Sequence, residues 1–395
     1  MPVAIFALTL AAFAVGTTEF VVTGLLPNIA GDLHVTIKDV GLLVSDYAFA
    51  VVVGAPLLTA ATIRVPRKPT LVALLALFVA GNALCGLSPN YAVLMVGRVL
   101  AALAHGAFFG IGAVVAADMA PVGKKAQAMA LVFTGVTLAN IIGVPLGTLL
   151  GQHAGWRSTF WAIAVLGLAA TAGVLRFVPT LLVDAQAPGL LREVRSLLRP
   201  QILLALLMSV FGFGAVFTVF TYIVPILQTF GRFNPTEVAA ALLVFGVGST
   251  VGMNIGGRLA DRWLLQSLIG MLVGVVLVLL ALRTAETFKT TAYVDLFLFG
   301  AAGFAVAPPL QTWIVQQARL APTLASALNI GAFNLGNGLG AWLGATVLTS
   351  SLGLAAVPAA GALVAAIGIV LTSVPLLTRR AQPPPVDAGR NPALS

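Results

Sequence analysis

Apolar runs of about twenty residues recur along the whole chain, and charged residues or Pro, Gly and Asn separate each run from the next. A helix of that length can cross the ~30 Å hydrocarbon core of a bilayer. Only 8% of the 395 residues are charged, against roughly 25% in soluble domains. The chain is therefore predicted to be a polytopic membrane protein, which excludes a soluble enzyme, a disulfide-stabilised secreted domain and a nucleic-acid-binding protein.

Twelve membrane spans are predicted, joined by loops too short to hold a soluble domain. They lie near residues 4–26, 38–60, 70–88, 91–116, 126–150, 158–178, 201–227, 236–256, 265–282, 292–316, 322–349 and 354–376. The first run begins almost at the first residue and has no basic leader, so it is expected to be a retained span rather than a signal peptide.

Lys and Arg residues are distributed unequally between the two sides of the predicted membrane. Fifteen of the 21 lie in one set of alternate loops and in the tail, five lie on the other side, and Arg98 lies inside a span. Because cytoplasmic loops collect Lys and Arg, both termini are expected in the cytoplasm. The net charge of +9 then follows from topology and requires no polyanionic partner.

The two halves of the chain carry the same motif, Asn-x-x-Gly-x-x-x-Gly, in the fifth and eleventh spans. Its residues are Asn140, Gly143 and Gly147 in the first copy and Asn337, Gly340 and Gly344 in the second. Two similar bundles with a cleft between them are the arrangement that repeated transporters use for alternating access. The predicted division is a six-helix bundle over 1–180, a linker with an amphipathic helix over 181–200, a second six-helix bundle over 201–377 and a disordered tail over 378–395.

Several motifs resemble the major facilitator superfamily over essentially the whole chain. Arg98 matches the intramembrane arginine of that family, and Gly143, Pro145 and Gly147 resemble the glycine-proline motif of its exporters. Stretches starting at Thr17, Tyr47, His105 and Asn329 resemble the bacterial branch of arabinose or sugar efflux, chloramphenicol resistance and purine export. The resemblance implies two pseudo-symmetric six-helix bundles in a bacterial inner membrane. It also implies export of a drug, sugar or nucleoside-like solute in exchange for protons.

A charged family motif follows the second span and is repeated after the eighth, with Ile63 in the first copy replacing the usual aspartate. The matching residues are Arg64, Arg67, Lys68, Asp261 and Arg262. We expect them to hold the cytoplasmic side closed while the carrier faces outward. An ordinary excess of positive charge in cytoplasmic loops explains the basic residues equally well.

Ionisable residues inside spans are costly and are functional candidates by default. Glu19, Asp46 and Arg98 each lie eight residues from the outer end of their spans, ~12 Å deep at 1.5 Å per residue, so they are predicted to meet. Glu19 is the predicted proton site, Arg98 its counter-charge and Asp46 the second member; a static ion pair that only locks helix packing is the alternative. His105, on the same face as Arg98, is expected to relay a proton, bind substrate or serve packing. Asp295, near the outer end of the tenth span, is expected to face solvent.

The second half has few buried charges and many amide and aromatic side chains, a composition that suits an uncharged or amphipathic solute. The predicted substrate-binding residues are Tyr222, Gln311, Asn329 and Asn334. The glycines of the repeated motif are expected at the contact between the moving halves, where small residues allow close approach, and Pro145 is expected to supply a kink.

The predicted partners are a small-molecule substrate, protons and membrane lipids, with no nucleic acid, no metal and no cofactor, and the protein is expected to be monomeric. No Walker motif is present, so ATP is not expected to drive transport, and the proton gradient implied by the resemblance is the expected energy source. A proton-coupled importer or facilitator of the same fold is the alternative function. A membrane enzyme would need clustered nucleophile and base or metal ligands, which three histidines and one cysteine do not supply. A channel or scramblase would differ by lacking saturable, gradient-driven flux.

Overall fold

The computed structural model of the protein describes residues 3–62, 65–121, 125–180, 199–285, 288–318 and 322–380. Every secondary-structure element within these ranges is helical, which confirms the predicted all-α fold class. Residues 181–198 of the predicted linker and 381–395 of the predicted tail lie outside the described ranges, as do Ile63 and Arg64.

The described part of the first half contains seven α-helices before the predicted linker. They are α1 (Val3–Leu33), α2 (Ile37–Thr62), α3 (Arg67–Leu87), α4 (Tyr91–Asp118), α5 (Lys125–Leu138), α6 (Val144–Ala154) and α7 (Trp156–Phe177). A π-helical turn, Ala139–Gly143, joins α5 to α6. Pro145 follows this turn and supplies no backbone N–H, so the wider turn lies where the regular hydrogen-bond pattern is interrupted.

The second half also contains seven α-helical elements. They are α8 (Pro200–Phe220), α9 (Ile223–Thr229), α10 (Pro235–Ala285), α11 (Lys289–Ala305), α12 (Ala307–Gln317), α13 (Pro322–Thr349) and α14 (Val357–Arg380). A 3₁₀ turn, Leu354–Ala356, precedes α14. The backbone of α10 leaves the helical region at Trp263, with φ −140° and ψ 64°, so α10 consists of two helices that meet at this residue.

Nine segments of the described chain are long and apolar enough to cross a membrane. One of them lies in α10, which the break at Trp263 divides in two. The helices α2 and α13, of 26 and 28 residues, lie outside those nine. This arrangement is consistent with the twelve predicted spans.

The two ends of the helix bundle carry different charges. At the first, which we call the basic end, Arg67 at the start of α3 forms an ion pair with Asp118 at the end of α4. Arg258 and Arg262 are exposed at this same end. The loops in which Lys and Arg are in excess thus lie at one end of the bundle, as the distribution of these residues along the chain predicts.

The opposite end is held by polar contacts within each half. Asp32 accepts hydrogen bonds from Trp156 Nε1 at 3.0 Å and from Arg157 Nη1 at 2.5 Å. In the second half, Lys289 Nζ lies 2.7 Å from both carboxylate oxygens of Glu237. These contacts join α1 to α7 and α10 to α11.

Glycines of the repeated motif pack helices together inside each half. A Cβ on Gly143 would lie 2.1 Å from Thr17 Oγ1 in α1, and a Cβ on Gly340 would lie 2.4 Å from the carbonyl oxygen of Gly214 in α8. Gly147 and Gly344 likewise face atoms of their own halves: Val21 and Thr159 in the first, Thr218 and Tyr222 in the second. The expectation that these glycines lie between the moving halves is therefore wrong. The structure instead uses them to fix the fifth span to α1 and α13 to α8.

Candidate transport site

Arg98 lies completely buried, about two turns from the start of α4. Its Nη1 donates a hydrogen bond to the carbonyl oxygen of Thr18 at 2.5 Å, and its Cζ lies 4.1 Å from the centroid of the Tyr47 ring. The Nε and Nη2 groups have no hydrogen-bond partner among the described residues. A buried guanidinium with unused donors favours negative charge nearby, because its own charge is otherwise uncompensated.

The Glu19 carboxylate lies at the contact between the two halves. Its Oε2 is 3.9 Å from His105 Nε2 in α4, and its Oε1 accepts a long hydrogen bond of 3.5 Å from Asn337 Nδ2 in α13. The Glu19 side chain is 12% exposed. No direct ion pair joins Glu19 to Arg98 in the described structure, although the arginine charge acts on the carboxylate electrostatically. Glu19 is therefore held by residues of both halves.

Tyr47 and His105 link the arginine to the glutamate. The Tyr47 hydroxyl lies 3.1 Å from His105 Nδ1, and both side chains are almost fully buried. When Tyr47 donates to Nδ1, the hydrogen of a neutral imidazole is on Nε2 and faces Glu19. A continuous series of polar groups thus runs from Arg98 through Tyr47, His105 and Glu19 to Asn337.

Asp46 lies outside this series. It is half-buried, has no hydrogen bond or ion pair with another described residue, and acts electrostatically on Tyr91 at the start of α4. Successive residues of a helix point about 100° apart, so Tyr47 faces Arg98 and its neighbour Asp46 does not. The predicted group of two carboxylates around one guanidinium is not formed, and the aromatic ring of Tyr47 takes the place expected for Asp46.

Aromatic rings flank the polar series. Phe109 packs against His105 with ring centroids 5.1 Å apart and stacks on Phe133 at 5.5 Å with an interplanar angle of 11°. Phe20 of the first half contacts Phe217 of the second at 5.7 Å. Such rings supply flat apolar surfaces of the kind that hold the unsaturated or aliphatic part of a solute.

Amide side chains of the second half largely satisfy one another. The Ser209 hydroxyl donates to Asn329 Oδ1 at 2.6 Å, Asn329 Nδ2 donates to Gln311 Oε1 at 2.8 Å, and Gln311 Nε2 donates to Ser326 Oγ at 2.5 Å. Asn334 Nδ2 donates to the backbone of its own helix, and its Oδ1 is buried without a hydrogen-bond partner among the described residues. Of the predicted substrate-binding amides, Asn329 and Gln311 therefore tie α8, α12 and α13 together.

Tyr222, the fourth predicted substrate-binding residue, is fully buried between helices. Its hydroxyl donates to the Ala341 carbonyl oxygen at 3.0 Å. A Cβ on Gly344 would lie 2.6 Å from the ring, and a Cβ on Gly41 in α2 would lie 2.1 Å from the hydroxyl. Tyr222 thus fills a slot between two glycines and joins the halves near the opposite end.

Contact between the halves is uneven along the membrane normal. Besides the Tyr222 slot, a Cβ on Gly338 in α13 would lie 3.0 Å from the ring of Phe49 in α2. Nearer the basic end, a Cβ on Gly110 in α4 or on Gly331 in α13 would meet no atom of the described residues within 4 Å. The halves approach closely near the opposite end, and open space lies beside α4 and α13 towards the basic end.

The predicted cytoplasmic latch is not assembled in this arrangement. Arg67 pairs with Asp118 of its own half. Asp261 and Arg262 are exposed and form no ion pair with another described residue. Lys68 is partly exposed, and Arg64 lies outside the described ranges.

The chain matches known proteins over almost its whole length. Residues 8–331 match the family model described as Major Facilitator Superfamily. The chain belongs to the major facilitator superfamily. It is 44% identical over 379 residues to the inner membrane transport protein YdhP of Escherichia coli, covering 96% of each chain. It is 36% identical over 396 residues to a chloramphenicol resistance protein of Streptomyces lividans, covering 99% of this chain and 100% of that protein.

A solved structure shows the same fold at low sequence identity. The match is a bacterial homologue of the human lysosomal transporter Spinster, in an inward-facing and unoccupied conformation, with a TM-score of 0.73. The two chains are 17% identical, and the match covers 97% of this chain and 98% of the other. Family and fold together confirm the predicted superfamily and make the protein a membrane transporter of a small-molecule substrate, not an enzyme.

Two residues of the polar series were not assigned these positions from sequence. Tyr47 begins a stretch that resembles the exporter branch, but nothing in the sequence placed it on Arg98. Asn337 was assigned to helix packing through the repeated motif, and the structure adds its contact with Glu19. A signal was available for Asn337, since a polar side chain in the middle of an apolar span is costly unless it has a partner.

Proposed function

We propose that the protein exports a small organic solute from the cytoplasm in exchange for protons, and that Glu19 couples the two movements. The observation that carries this proposal is the position of the Glu19 carboxylate between His105 of one half and Asn337 of the other. A titratable group held by both halves can make their relative position depend on its protonation. The similarity of the chain to an inner membrane transport protein and to a chloramphenicol resistance protein supports export across an inner membrane.

The proposed cycle follows from charge compensation. Ionised Glu19 balances Arg98 electrostatically and accepts the hydrogen bond from Asn337, which favours contact between α1 and α13. A proton on Glu19 removes the negative charge and weakens its interaction with both groups. The halves can then change their relative tilt with the proton bound, and bound solute allows the same change when Glu19 is ionised. Each passage of the carrier thus takes either a proton or a solute molecule across the membrane. Solute binding between the flanking aromatic rings favours release of the proton.

The direction of the cycle rests on topology. We place the basic end and both termini in the cytoplasm, because Lys and Arg collect there. The open space beside Gly110 and Gly331 then faces the cytoplasm, as in the inward-facing structural neighbour. In this conformation Glu19 releases its proton and the protein accepts solute. A drug, a sugar or a nucleoside-like compound is the proposed solute class, and one chain is the proposed transporting unit.

The test is solute flux with purified protein in liposomes under an imposed pH gradient. The solutes are chloramphenicol, arabinose, a purine nucleoside and a lipophilic cation. Wild type is compared with Glu19→Gln and with Glu237→Gln, which makes the same chemical change in a carboxylate that pairs with Lys289 at the opposite end. We expect gradient-driven flux of at least one solute in wild type and Glu237→Gln, and its loss in Glu19→Gln.

The remaining outcomes identify the alternatives. Equal gradient-driven flux in wild type and Glu19→Gln would refute Glu19 as the coupling site. Saturable flux that ignores the gradient in wild type would make the protein a facilitator. Solute that moves in the same direction as the protons, rather than in the opposite direction, would make the protein a proton-coupled importer. Counterflow in inverted vesicles measures this direction.

A further inference from the structure

Asp295 is a buried carboxylate that no described residue neutralises. It lies in α11, two turns from the start of the helix at the opposite end, and is only 5% exposed. Its Oδ2 is buried without a hydrogen-bond partner, and Asp295 forms no ion pair with another described residue. The expectation that it faces solvent is therefore wrong. A carboxylate in apolar surroundings without a partner is strongly destabilising unless a proton or cation compensates its charge.

Among the described side chains, the basic residue nearest to Asp295 along the chain already has an acidic partner. Lys289 precedes Asp295 in α11, but its ammonium group contacts both carboxylate oxygens of Glu237 at 2.7 Å. The same lysine lies 5.7 Å from the centroid of the Phe233 ring. The charge of Lys289 is thus already compensated by a partner in α10, and Asp295 has no oppositely charged partner among the described residues.

Asp295 lines a groove on the outer surface of α11. The groove has a volume of about 210 Å³ and is bordered by Thr290, Thr291, Val294 and Leu298. Thr290, Val294 and Leu298 follow one another at four-residue intervals on one helix face, and Val294 and Leu298 are 57% and 46% exposed. This face of a membrane-spanning helix is turned towards lipid. The groove therefore contains one carboxyl group and two hydroxyl groups, and it opens along apolar side chains towards the lipid.

We infer that this groove binds the ammonium head group of an amphiphile, with Asp295 as the counter-charge. An ammonium group has three N–H donors, enough for the carboxylate and the neighbouring threonine hydroxyls. The volume is smaller than the 300–1,000 Å³ of typical drug-sized sites, so it suits a head group whose chain continues over Val294 and Leu298 into the bilayer. The groove is separate from Glu19, which belongs to the other half, and the inference does not depend on proton-coupled export.

The test is retention of n-dodecylamine by the detergent-purified full chain, counted by native mass spectrometry, with uncharged dodecanol as the matched amphiphile. Wild type is expected to retain one dodecylamine saturably and to bind dodecanol no better than background. Loss of a charged hydrogen-bonding partner predicts an affinity lower by roughly tenfold or more in Asp295→Asn. Asp295→Glu is expected to keep part of the binding, because the carboxylate is retained. Asp39→Asn is expected to bind as wild type, since Asp39 is an acid at the same end already bonded to Thr36.

Two further arms distinguish the sources of the head group. If membrane lipid supplies it, phosphatidylethanolamine is retained in preference to phosphatidylcholine by wild type and is lost from Asp295→Asn. If a free amine supplies it, dodecylamine alone depends on Asp295. Equal retention of dodecylamine by wild type and Asp295→Asn would overturn the inference and indicate a simply protonated carboxyl group. Equal retention of dodecylamine and dodecanol by wild type would also overturn it, and this comparison needs no variant to fold.

Discussion

The two halves of the molecule repeat one packing motif but carry different polar groups in their interiors. In the first half, Arg98, His105 and Glu19 form a series of ionisable groups that is not neutralised by direct ion pairs within the described structure, apart from the 3.9 Å approach of His105 to Glu19. In the second half, Asn329 and Gln311 sit at the centre of an uncharged network in which the amides bond to one another. Under the proposed function, this difference assigns the response to protonation to the first half and a supporting role to the second.

The two copies of the repeated asparagine also differ in the groups that they contact. Asn337 directs its side-chain amide across the cleft to Glu19. The backbone carbonyl oxygen of Asn140, in the π-helical turn, lies 2.3 Å from the position of a Cβ on Gly246 in α10. Both asparagines therefore lie where the halves meet, but only Asn337 places a side-chain donor on an ionisable group. The repeat thus places an asparagine at the contact between the halves in both copies, but the two asparagines contact different groups there.

The largest effect is expected from Arg98→Lys, which keeps the positive charge of the first half but alters its geometry. Lysine lacks the planar group that lies on the Tyr47 ring and the fixed donor that bonds to Thr18. We expect gradient-driven solute flux to fall by roughly a hundredfold or more, a barrier increase of about 3 kcal/mol. Flux in liposomes measures the effect. Flux within twofold of wild type would show that charge alone suffices.

Gly41→Ala is expected to have the next largest effect, because it places a methyl group where the Tyr222 hydroxyl lies. Overpacking of this kind costs about 1–3 kcal/mol, and here the cost falls on the conformation that is closed at the opposite end. Reaction of Gly331→Cys with a membrane-impermeant thiol reagent from the basic end should therefore slow. The native Cys85 is buried and should add little background. Unchanged labelling would mean that the Tyr222 slot does not stabilise this conformation.

Gly340→Ala and Gly143→Ala compare the two copies of the repeat directly. The new methyl group at residue 340 meets a backbone carbonyl oxygen, whereas the one at residue 143 meets the Thr17 side chain. Gly340→Ala should lower stability by about 1–3 kcal/mol, and Gly143→Ala by less. Combining Thr17→Ala with Gly143→Ala removes the hydroxyl group that the new methyl group meets. The double variant should therefore regain most of the stability that Gly143→Ala loses. The unfolding temperature in detergent is measured for wild type, Gly340→Ala, Gly143→Ala and the double variant. Equal losses of stability in the two single variants, with no recovery in the double variant, would contradict the assigned contacts.

The last comparison concerns two amides of the second half, and its Asn334→Ala variant is expected to have the smallest effect of all. Asn329→Ala leaves Ser209 and Gln311 without their partner, at a cost of about 1–3 kcal/mol, and should lower the unfolding temperature without changing the proton dependence of transport. Asn334→Ala removes only a bond to its own helix and should be close to neutral in stability. A normal unfolding temperature for Asn329→Ala would show that the network is not structural.

Sequence reasoning located the depth of the charged cluster but not its composition. Counting residues from the span ends brought Glu19 and Arg98 to a common level, and both belong to the polar series. The same count could not give the rotation of each helix, so Asp46 was chosen where Tyr47 belongs. The amides of the second half were chosen for their polarity, but composition does not reveal that Asn329 and Gln311 already bond to each other. Family, fold class and repeat were predictable, because hydropathy and motif spacing report on them directly.

Proton release on solute binding tests the central claim most directly. Purified protein in weakly buffered detergent is mixed with a solute that the flux assay has identified, and the pH change is recorded. Wild type and Glu237→Gln should release protons in proportion to bound solute, whereas Glu19→Gln should bind solute and release none. Equal proton release from Glu19→Gln and wild type, or solute binding by wild type without any proton release, would contradict the role of Glu19 as the coupling group between the two halves.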